Sequence, residues 1–185
     1  VDINSAGPTL LEKTFAVAGG LSEQAAQAAA QAVIEARQRR DAQGREQRFE
    51  AEEDLLQVPG IDYDLYARLA PLLTADLRGS GRVNPLAAPV EVLTVLSGGN
   101  AGVAVQIVES RSAGAVGLDT SALDGSLIDN ASTRTLRLQA RVPMADGMIV
   151  RVSRSVDLEA RTTDGTPWHT FRTSTSVESL PRKKS

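Results

Sequence analysis

Residues 1–11 read VDINSAGPTLL, and residues 83–93 read VNPLAAPVEVL. At a constant offset of 82, Val1, Ala6 and Leu11 coincide with the valine, alanine and leucine of the second stretch. Further along the chain, VIEAR at 33–37 matches IVESR at 107–111 at an offset of 74. The first copy therefore has eight extra residues in its middle, and we predict that the helical part of the chain contains a repeated unit.

Each unit is predicted to be a short helix, a glycine turn and a second helix. The first unit begins near Pro8 and turns at Gly19-Gly20, and its counterpart begins at Pro89 and turns at Gly98-Gly99. A diverged third unit lies between them and contains EDLLQVPGI at 53–61. Because glycines let two short helices cross closely, these units are typical of the helix-hairpin-helix element.

Apolar spacing predicts further helices over 23–39, 50–57, 63–73 and 101–111. Ser22 is placed to act as the N-cap of the helix 23–39. The polar run 37–45, which contains Arg37, is predicted to be a frayed helix end followed by a loop. The residues expected to face inward are Ala25, Ala29, Val33 and Ile34 in the helix 23–39, and Leu65, Leu69 and Leu72 in the helix 63–73.

The last third of the chain has a different texture. After the Ser- and Gly-rich loop 113–132, apolar and polar residues alternate with a period of two, which is typical of half-buried antiparallel strands. Asp146-Gly147 and Asp164-Gly165 are turn signals, and the third strand is expected over 168–175. We expect one face of the sheet to carry Leu136, Leu138, Ala140 and Val142 on the first strand, and Val150, Val152, Val156, Leu158 and Ala160 on the second.

The predicted fold class is α+β. We expect a helical domain over 1–112, a loop over 113–132, a three-stranded antiparallel sheet over 133–178 and a tail over 179–185. Charge changes at the same boundary: residues 1–112 carry 10 Lys/Arg and 15 Asp/Glu, whereas residues 113–185 carry 10 and 8.

Composition excludes several kinds of site. The 185 residues include no cysteine and one histidine, His169, which excludes disulfides, zinc–thiolate sites and multi-histidine metal centres. A net charge of −3 argues against a dedicated nucleic-acid binder. The chain begins with Val1 rather than methionine, and we expect an N-terminal segment to have been removed.

Three stretches together resemble the K-type minor pseudopilin of bacterial type II secretion systems (general secretion pathway protein K). They are DINSA at 2–6, EEDLLQVPGID followed by LYARLAPLLT within 52–74, and GRVNPLAAPVEVLTVLSG at 81–98. The resemblance covers about residues 1–111. The chain departs from the family pattern at residues 86–89, where many members have Asn-Thr-Ala-Pro.

The resemblance implies a non-enzymatic assembly protein with a pilin-like sheet and a large helical domain. It implies a periplasmic position at the tip of the pseudopilus, with the I-type and J-type minor pseudopilins as partners in protein export. It also implies an N-terminal hydrophobic helix that anchors the protein in the inner membrane and is missing here. Without that helix, part of the apolar sheet face is expected to be uncovered, and the residues of this face are Leu136, Leu138, Val150, Val152, Val156 and Leu158. Secreted proteins are further candidate partners, and nucleic acid is not expected to be one.

The alternative function is DNA binding through the helix-hairpin-helix units, which contact phosphates through backbone amides. In this chain Pro59-Gly60-Ile61 is followed by Asp62 and Asp64, so carboxylates occupy the place where a phosphate would lie. The basic cluster at Arg37, Arg39, Arg40, Arg45 and Arg48 is interleaved with acidic residues, which favours a solvated helix end.

No catalytic, cofactor-binding or metal-binding residue is predicted. A serine–histidine–aspartate arrangement would depend on His169, which is expected to be an ordinary strand residue. Calcium is the one open question, because some K-type pseudopilins bind it in their pilin domain. The candidate oxygen ligands are Asp119, Asp124, Asp129 and Asn130, although their spacing of five is not that of a compact calcium loop.

Overall fold

The computed structural model describes residues 1–40, 43–75, 79–114, 117–130, 135–145, 147–158 and 165–179. The chain divides into two compact units, Val1–Ala131 and Ser132–Ser185. The first contains the helices and the second contains an antiparallel sheet, so the α+β class is confirmed. The described helices are all too short or too polar to span a lipid bilayer.

The helices of the first unit are short, and glycine or proline bounds several of them. Helix α1 (Pro8–Lys13) continues as a π-helical turn over Thr14–Ala18. Helix α2 spans Glu23–Gln38, α3 spans Tyr63–Leu69, α4 spans Val90–Leu96 and α5 spans Ala101–Ser112. Two 3₁₀ helices cover Glu52–Gln57 and Ala70–Leu72.

Two details of the predicted helices were wrong. Ala25 is exposed, and α2 instead buries a stripe of Ala26, Ala29, Ala30 and Val33. Alanines such as Ala25, Ala28 and Ala32 continue the apolar side of α2 beyond this stripe, while Gln27 and Gln31 mark the opposite, exposed face. The pattern therefore predicts which side of α2 is buried but not which of its alanines are. The predicted helix 63–73 divides into α3 and the following 3₁₀ helix, which contains Pro71, a residue without a backbone N–H.

One continuous core fills the first unit. Its fully buried large side chains come from all parts of the unit and include Ile3, Leu10, Leu11, Leu55, Leu69, Leu93 and Leu96. The predicted loop 113–132 has no described helix or strand, but Leu123 and Leu127 in it are buried in this core. The loop therefore belongs to the helical unit and does not merely connect it to the sheet.

The second unit is a meander with the strand order β1-β2-β3: β1 spans Thr135–Pro143, β2 spans Met148–Asp157 and β3 spans His169–Ser179. Leu136 pairs with Val156, and Val142 pairs with Val150, so the predicted apolar residues of β1 and β2 do share one face. A bulge lies between Ser155 and Val156. Ala160, Asp146, Asp164 and the tail beyond 179 lie outside the described residues.

Alternation alone predicted a half-buried β1, and this was wrong, whereas the expected uncovered apolar face is observed on this strand. Leu136, Leu138 and Val142 are 42%, 56% and 49% exposed. Alternation in a sequence reports that a strand has an apolar side, but it does not report whether that side is covered within the same chain.

We expect Leu93→Ala to lower the free energy of unfolding by roughly 2–5 kcal/mol, because the Leu93 side chain is fully buried and its loss leaves a cavity. Urea denaturation followed by circular dichroism measures this loss. Leu86→Ala is the matched control, since Leu86 is 49% exposed and precedes the same helix. A loss below about 0.5 kcal/mol for Leu93→Ala, within the range of surface substitutions, would contradict its assigned place in the core.

Candidate functional site: arginine-closed helix pairs and an uncovered sheet face

Arg37 joins the two ends of the first helix pair, which consists of α1 with its π-helical turn and α2. Arg37 lies in the last turn of α2, and its Nη1 atom donates hydrogen bonds to the carbonyl oxygens of Ile3 (3.1 Å) and Ala6 (2.9 Å). Burial lowers the pKa of Arg37, and the nearby Asp2 carboxylate opposes that shift. Because a guanidinium remains protonated at neutral pH, the contact is a charged one. It fastens the end of α2 to the segment that precedes α1.

The same kind of contact joins the two ends of the second helix pair, which consists of α4 and α5. Arg111 lies in the last turn of α5, and its Nη1 atom donates to the carbonyl oxygens of Pro85 (3.2 Å) and Ala88 (2.9 Å). These acceptors lie 82 residues after those of Arg37, and the two arginines are 74 residues apart. Both offsets are those at which the two sequence stretches align.

A turn presents these carbonyl groups in the same way in both pairs. The Asp2 carboxylate accepts a hydrogen bond from the Asn4 amide (3.0 Å), and the Asn84 side-chain oxygen accepts one from the Leu86 amide (2.9 Å). The backbone N–H groups of residues 6 and 88 then donate to the carbonyl groups of residues 2 and 84. Aspartate and asparagine are suited to this role, since both form Asx turns.

Each pair also begins with a short parallel backbone bridge. The nitrogen and carbonyl of Val1 bond to residues 72 and 74, at 2.6 and 2.9 Å. Those of Val83 bond to residues 127 and 129, both at 2.9 Å. The segments 72–74 and 127–129 therefore occupy corresponding places beside the two pairs, which explains why the loop after α5 is held against the helical unit.

The three turns between helices share one construction. A glycine with positive φ stands two residues before the N-cap of the following helix, in the left-handed region that favours glycine. The N-cap side chain then accepts a hydrogen bond from the amide three residues later. The glycines and caps are Gly20 (φ 70°) with Ser22, Gly60 (φ 85°) with Asp62, and Gly98 (φ 68°) with Asn100.

The eight extra residues of the first pair are two extra helical turns. Residues Pro8–Lys13 and Thr14–Ala18 make 6 and 5 helical residues, against 7 in α4. Helix α2 has 16 residues, against 12 in α5. Each helix of the first pair is thus longer by four residues, close to one turn of 3.6. An insertion of this size leaves the closing arginine on the same side of its helix.

We call the three turns at Gly20, Gly60 and Gly98 the first, second and third hairpins. Two basic side chains near the first hairpin make contacts within the helical unit. The Nε atom of Arg68, on α3, donates to the Gly19 carbonyl (3.2 Å), and the Lys13 Nζ atom lies 2.7 Å from the Asp124 carboxylate. A Cβ atom at Gly19 would lie only 2.9 Å from a Leu65 methyl carbon, so the hairpin packs directly against α3. These two cations act in holding the unit together.

The second hairpin is surrounded by carboxylates. Between residues 50 and 64 the chain has six acidic residues and no Lys or Arg. Tyr66, on α3, is affected by this setting: burial raises its pKa, and the carboxylates of Glu53 and Glu52 raise it further. A phosphate backbone would meet repulsion at this hairpin.

The candidate calcium ligands serve in turns and in an ion pair. The Asp119 carboxylate accepts from the Ser121 amide (2.9 Å), and this hydrogen bond lowers its pKa. Hydrogen bonds from Lys13 and Ser126 lower the pKa of Asp124 to about 2. The Asp129 amide takes part in the bridge to Val83. Within the described ranges, no three acidic or histidine side chains are grouped as a metal site.

Most apolar side chains of β1 and β2 lie on the face of the even-numbered residues, here called the even face, and Ile149 lies on the opposite face. The most exposed on the even face are Leu138 (56%), Val142 (49%) and Val177 (60%), and Val177 pairs with Val150 across β2 and β3. Apolar area of this kind is typical of an interaction surface when it is contiguous. Val156, on the same face, is 3% exposed.

His169, the only histidine, is the first residue of β3. It is exposed, and the strand register pairs it with Asp157. Its placement in a strand is as predicted.

Sequence reasoning missed the role of Arg37, which was assigned to a frayed helix end, and that of Arg111. The signal was present, because arginine ends both VIEAR and IVESR. It also missed Asn4, whose side chain accepts from the Phe49 amide and donates to the Phe49 carbonyl, both at 2.9 Å. That pair of bonds has no local sequence pattern, since 45 residues separate its members.

We expect Arg111→Met to lower the free energy of unfolding by roughly 1–3 kcal/mol, because it leaves two partly buried carbonyl groups without their donor. Arg111→Lys should recover part of the loss. Chemical denaturation measures both, with Arg82→Met as the control, since the Arg82 side chain is exposed. Equal stabilities of the Arg111→Met and Arg82→Met variants would contradict the closing role of Arg111.

Comparison with known proteins gives no family assignment: no protein-family model, no curated protein and no solved structure matches this chain.

Proposed function

We propose that this chain is the periplasmic part of a K-type minor pseudopilin, a non-enzymatic subunit at the tip of a type II secretion pseudopilus. In this proposal the helical unit is built from helix-hairpin-helix repeats and the sheet is the pilin-like part. The sheet joins the I-type and J-type minor pseudopilins, and the assembly takes part in protein export. The membrane anchor would be a hydrophobic helix that precedes Val1.

One observation carries the proposal. Two of the three stretches that resemble the family, DINSA at 2–6 and VNPLAA at 83–88, are the segments that accept hydrogen bonds from Arg37 and Arg111. The resembling residues therefore have a defined structural task, which is to form the turn and carbonyl acceptors that close each helix pair. A resemblance concentrated at such positions supports common architecture more strongly than scattered identities would.

The even face supports an assembly function in particular. A three-stranded sheet needs its apolar side packed for stability, yet Leu136, Leu138 and Val142 are exposed. A pilin-type subunit places a long apolar helix against such a face and packs it among neighbouring subunits. The exposed face fits a subunit that completes its packing on assembly.

DNA binding, the alternative function, has weaker support. Arg68 and Arg111, which lie on the helices that follow two of the hairpins, donate to backbone carbonyl groups of the helical unit. Asp62, at the second hairpin, uses its carboxylate to cap α3. The unit Val1–Ala131 carries 10 Lys/Arg and 18 Asp/Glu, so its net charge opposes approach to a polyanion.

A binding assay on the sheet tests the assembly function. The purified chain should retain the periplasmic domains of the I-type and J-type minor pseudopilins in a pull-down, and Leu138→Lys should weaken this retention about tenfold or more by placing a charge in an apolar contact. Gln139→Lys is the matched control, because Gln139 is the next residue, its side chain is also exposed, and it lies on the opposite face of the sheet. Val156 is unsuitable as a probe, since it is buried and its replacement would disturb the fold.

Retention of neither domain by the unaltered chain would count against the proposed function. Retention that Gln139→Lys abolishes and Leu138→Lys leaves intact would show that assembly uses the other side of the sheet.

We expect no specific binding of duplex DNA. Fluorescence anisotropy with a labelled duplex at about 0.15 M salt should give a dissociation constant weaker than about 1 µM, the tight end of non-specific binding. A tighter, salt-dependent constant would favour the DNA-binding alternative. Gly60→Ala, at the hairpin glycine with φ 85°, would then reduce it if the hairpins hold the phosphates.

A further inference from the structure

The sheet has two outer strands, and they differ in how well they are protected against pairing with a further strand. In the order β1-β2-β3, both β1 and β3 have one side that no described strand occupies. An outer strand presents backbone N–H and C=O groups along that side, and proteins commonly protect it with charged residues, proline or bulges.

Strand β1 has such protection. Its only charged residues are Arg137 and Arg141, and it ends at Pro143. Two β1 strands placed antiparallel about Gln139 would bring each arginine opposite an arginine of the other copy, and like charges directly opposite each other are destabilising. No register of two β1 strands forms an ion pair, because the strand has no acidic residue.

Strand β3 has little of this protection. It spans His169–Ser179 without lysine, proline or glycine, and more than half of it is threonine and serine. The bulge in its pairing with β2 lies before Arg172, so residues 172–179 form a regular edge. Residues 173–177 are all exposed.

The sequence of β3 is also complementary to itself. When two copies run antiparallel with Thr175 opposite Thr175, Arg172 of each copy lies opposite Glu178 of the other. In the same register Thr173 lies opposite Val177, whose side chain is 60% exposed in the single chain. A shift of two residues in either direction loses both charge pairs, so this register is favoured over its neighbours.

Glu178 is placed to bind a second guanidinium. Its Oε2 atom already binds Arg151, at 2.8 Å, on the face opposite the even face. Its other carboxylate oxygen makes no hydrogen bond with the described residues. Opposite side chains of an antiparallel pair have Cβ atoms about 4.5–5.5 Å apart, so the half-exposed Arg172 of a second copy would lie within reach of that oxygen.

We propose that β3 is a dimerisation edge, at which two copies of this chain join their sheets about a two-fold axis at Thr175. The backbone groups along the outer side of β3 would then be paired, and two three-stranded sheets would become one sheet of six strands. A contact of this kind is isologous, so it closes at a dimer. The proposal goes beyond the assembly function, which uses the even face and not this edge.

Cysteine cross-linking tests the register, because the chain has no cysteine of its own. Thr175→Cys should form a covalent dimer under mild oxidation, since the two copies of residue 175 lie directly opposite each other. Thr173→Cys is the matched control on the same strand and the same face. Its two copies would lie four residues apart along the strand, about 13 Å, which is beyond the reach of a disulfide. Dimer formation should be at least tenfold slower in the control.

Charge exchange tests the ion pairs in the whole chain, by sedimentation velocity over a range of protein concentrations. Arg172→Glu and Glu178→Arg should each weaken self-association about tenfold or more, because two ion pairs become two contacts between like charges. A mixture of the two variants should associate again, since both pairs are restored between them. Arg137→Glu, an exposed charge reversal on β1, is the matched control and should change self-association by less than about twofold.

Several results would overturn the proposal. They include a chain that stays monomeric up to about 1 mM, the range of very weak encounters, and equal cross-linking of Thr175→Cys and Thr173→Cys. The same holds for a mixture of the charge variants that does not associate although both keep the circular dichroism spectrum of the unaltered chain.

Self-association that Arg137→Glu or Leu138→Lys abolishes would also overturn the proposal, because it would place the contact on β1 or on the even face. None of these results bears on retention of the I-type and J-type domains, so the two proposals can fail separately.

Discussion

Two guanidinium groups hold the helical unit in its present form. The turn that precedes each helix pair directs carbonyl oxygens inward, and without a donor these partly buried groups would lose the hydrogen bonds that water gives them in the unfolded chain. Arg37 and Arg111 supply that donor from the far end of each pair. The entry and exit of each pair are thereby brought side by side.

The tight turns between the helices are needed because the arginine contacts hold the two ends of each pair together. A pair whose ends are fixed together must reverse direction within a few residues, and the left-handed glycine before each N-cap provides that reversal. The middle pair has no described arginine contact of the same kind, and it is held instead at Gly19, where Arg68 and Leu65 meet the first hairpin. The middle pair is thus held by packing against the first hairpin rather than by an arginine that joins its two ends. This difference is consistent with the greater divergence of its sequence.

Strong local signals made much of the fold predictable. Glycines, prolines and the cap residue Ser22 fixed where helices begin and end, and the alternating pattern fixed the pairing of β1 with β2. The buried stripe of α2 was less predictable, because alanines such as Ala25 continue the apolar side of the helix beyond the residues that are buried. Arg37 was misassigned for a related reason: taken singly, an arginine beside a polar run has the features of a solvated helix end, and only its recurrence at Arg111 distinguishes it. The exposure of β1 did not follow from alternation, which cannot reveal what covers a strand. It was expected only from the absence of the helix that the family resemblance implies.

The four-residue difference between corresponding helices limits how this architecture can change length. Side chains on a helix advance by about 100° per residue, so a change of two residues between Asn100 and Arg111 would turn the guanidinium to the far side of α5. A change of four residues turns it by only about 40° beyond a full circle, which a long and flexible arginine side chain can absorb. A change in helix length that keeps the arginine contact is therefore expected to come in whole turns. The π-helical turn at Thr14–Ala18 lies at the end of the first helix, in the part by which that helix is longer than α4, so the additional length is accommodated by a wider helical turn.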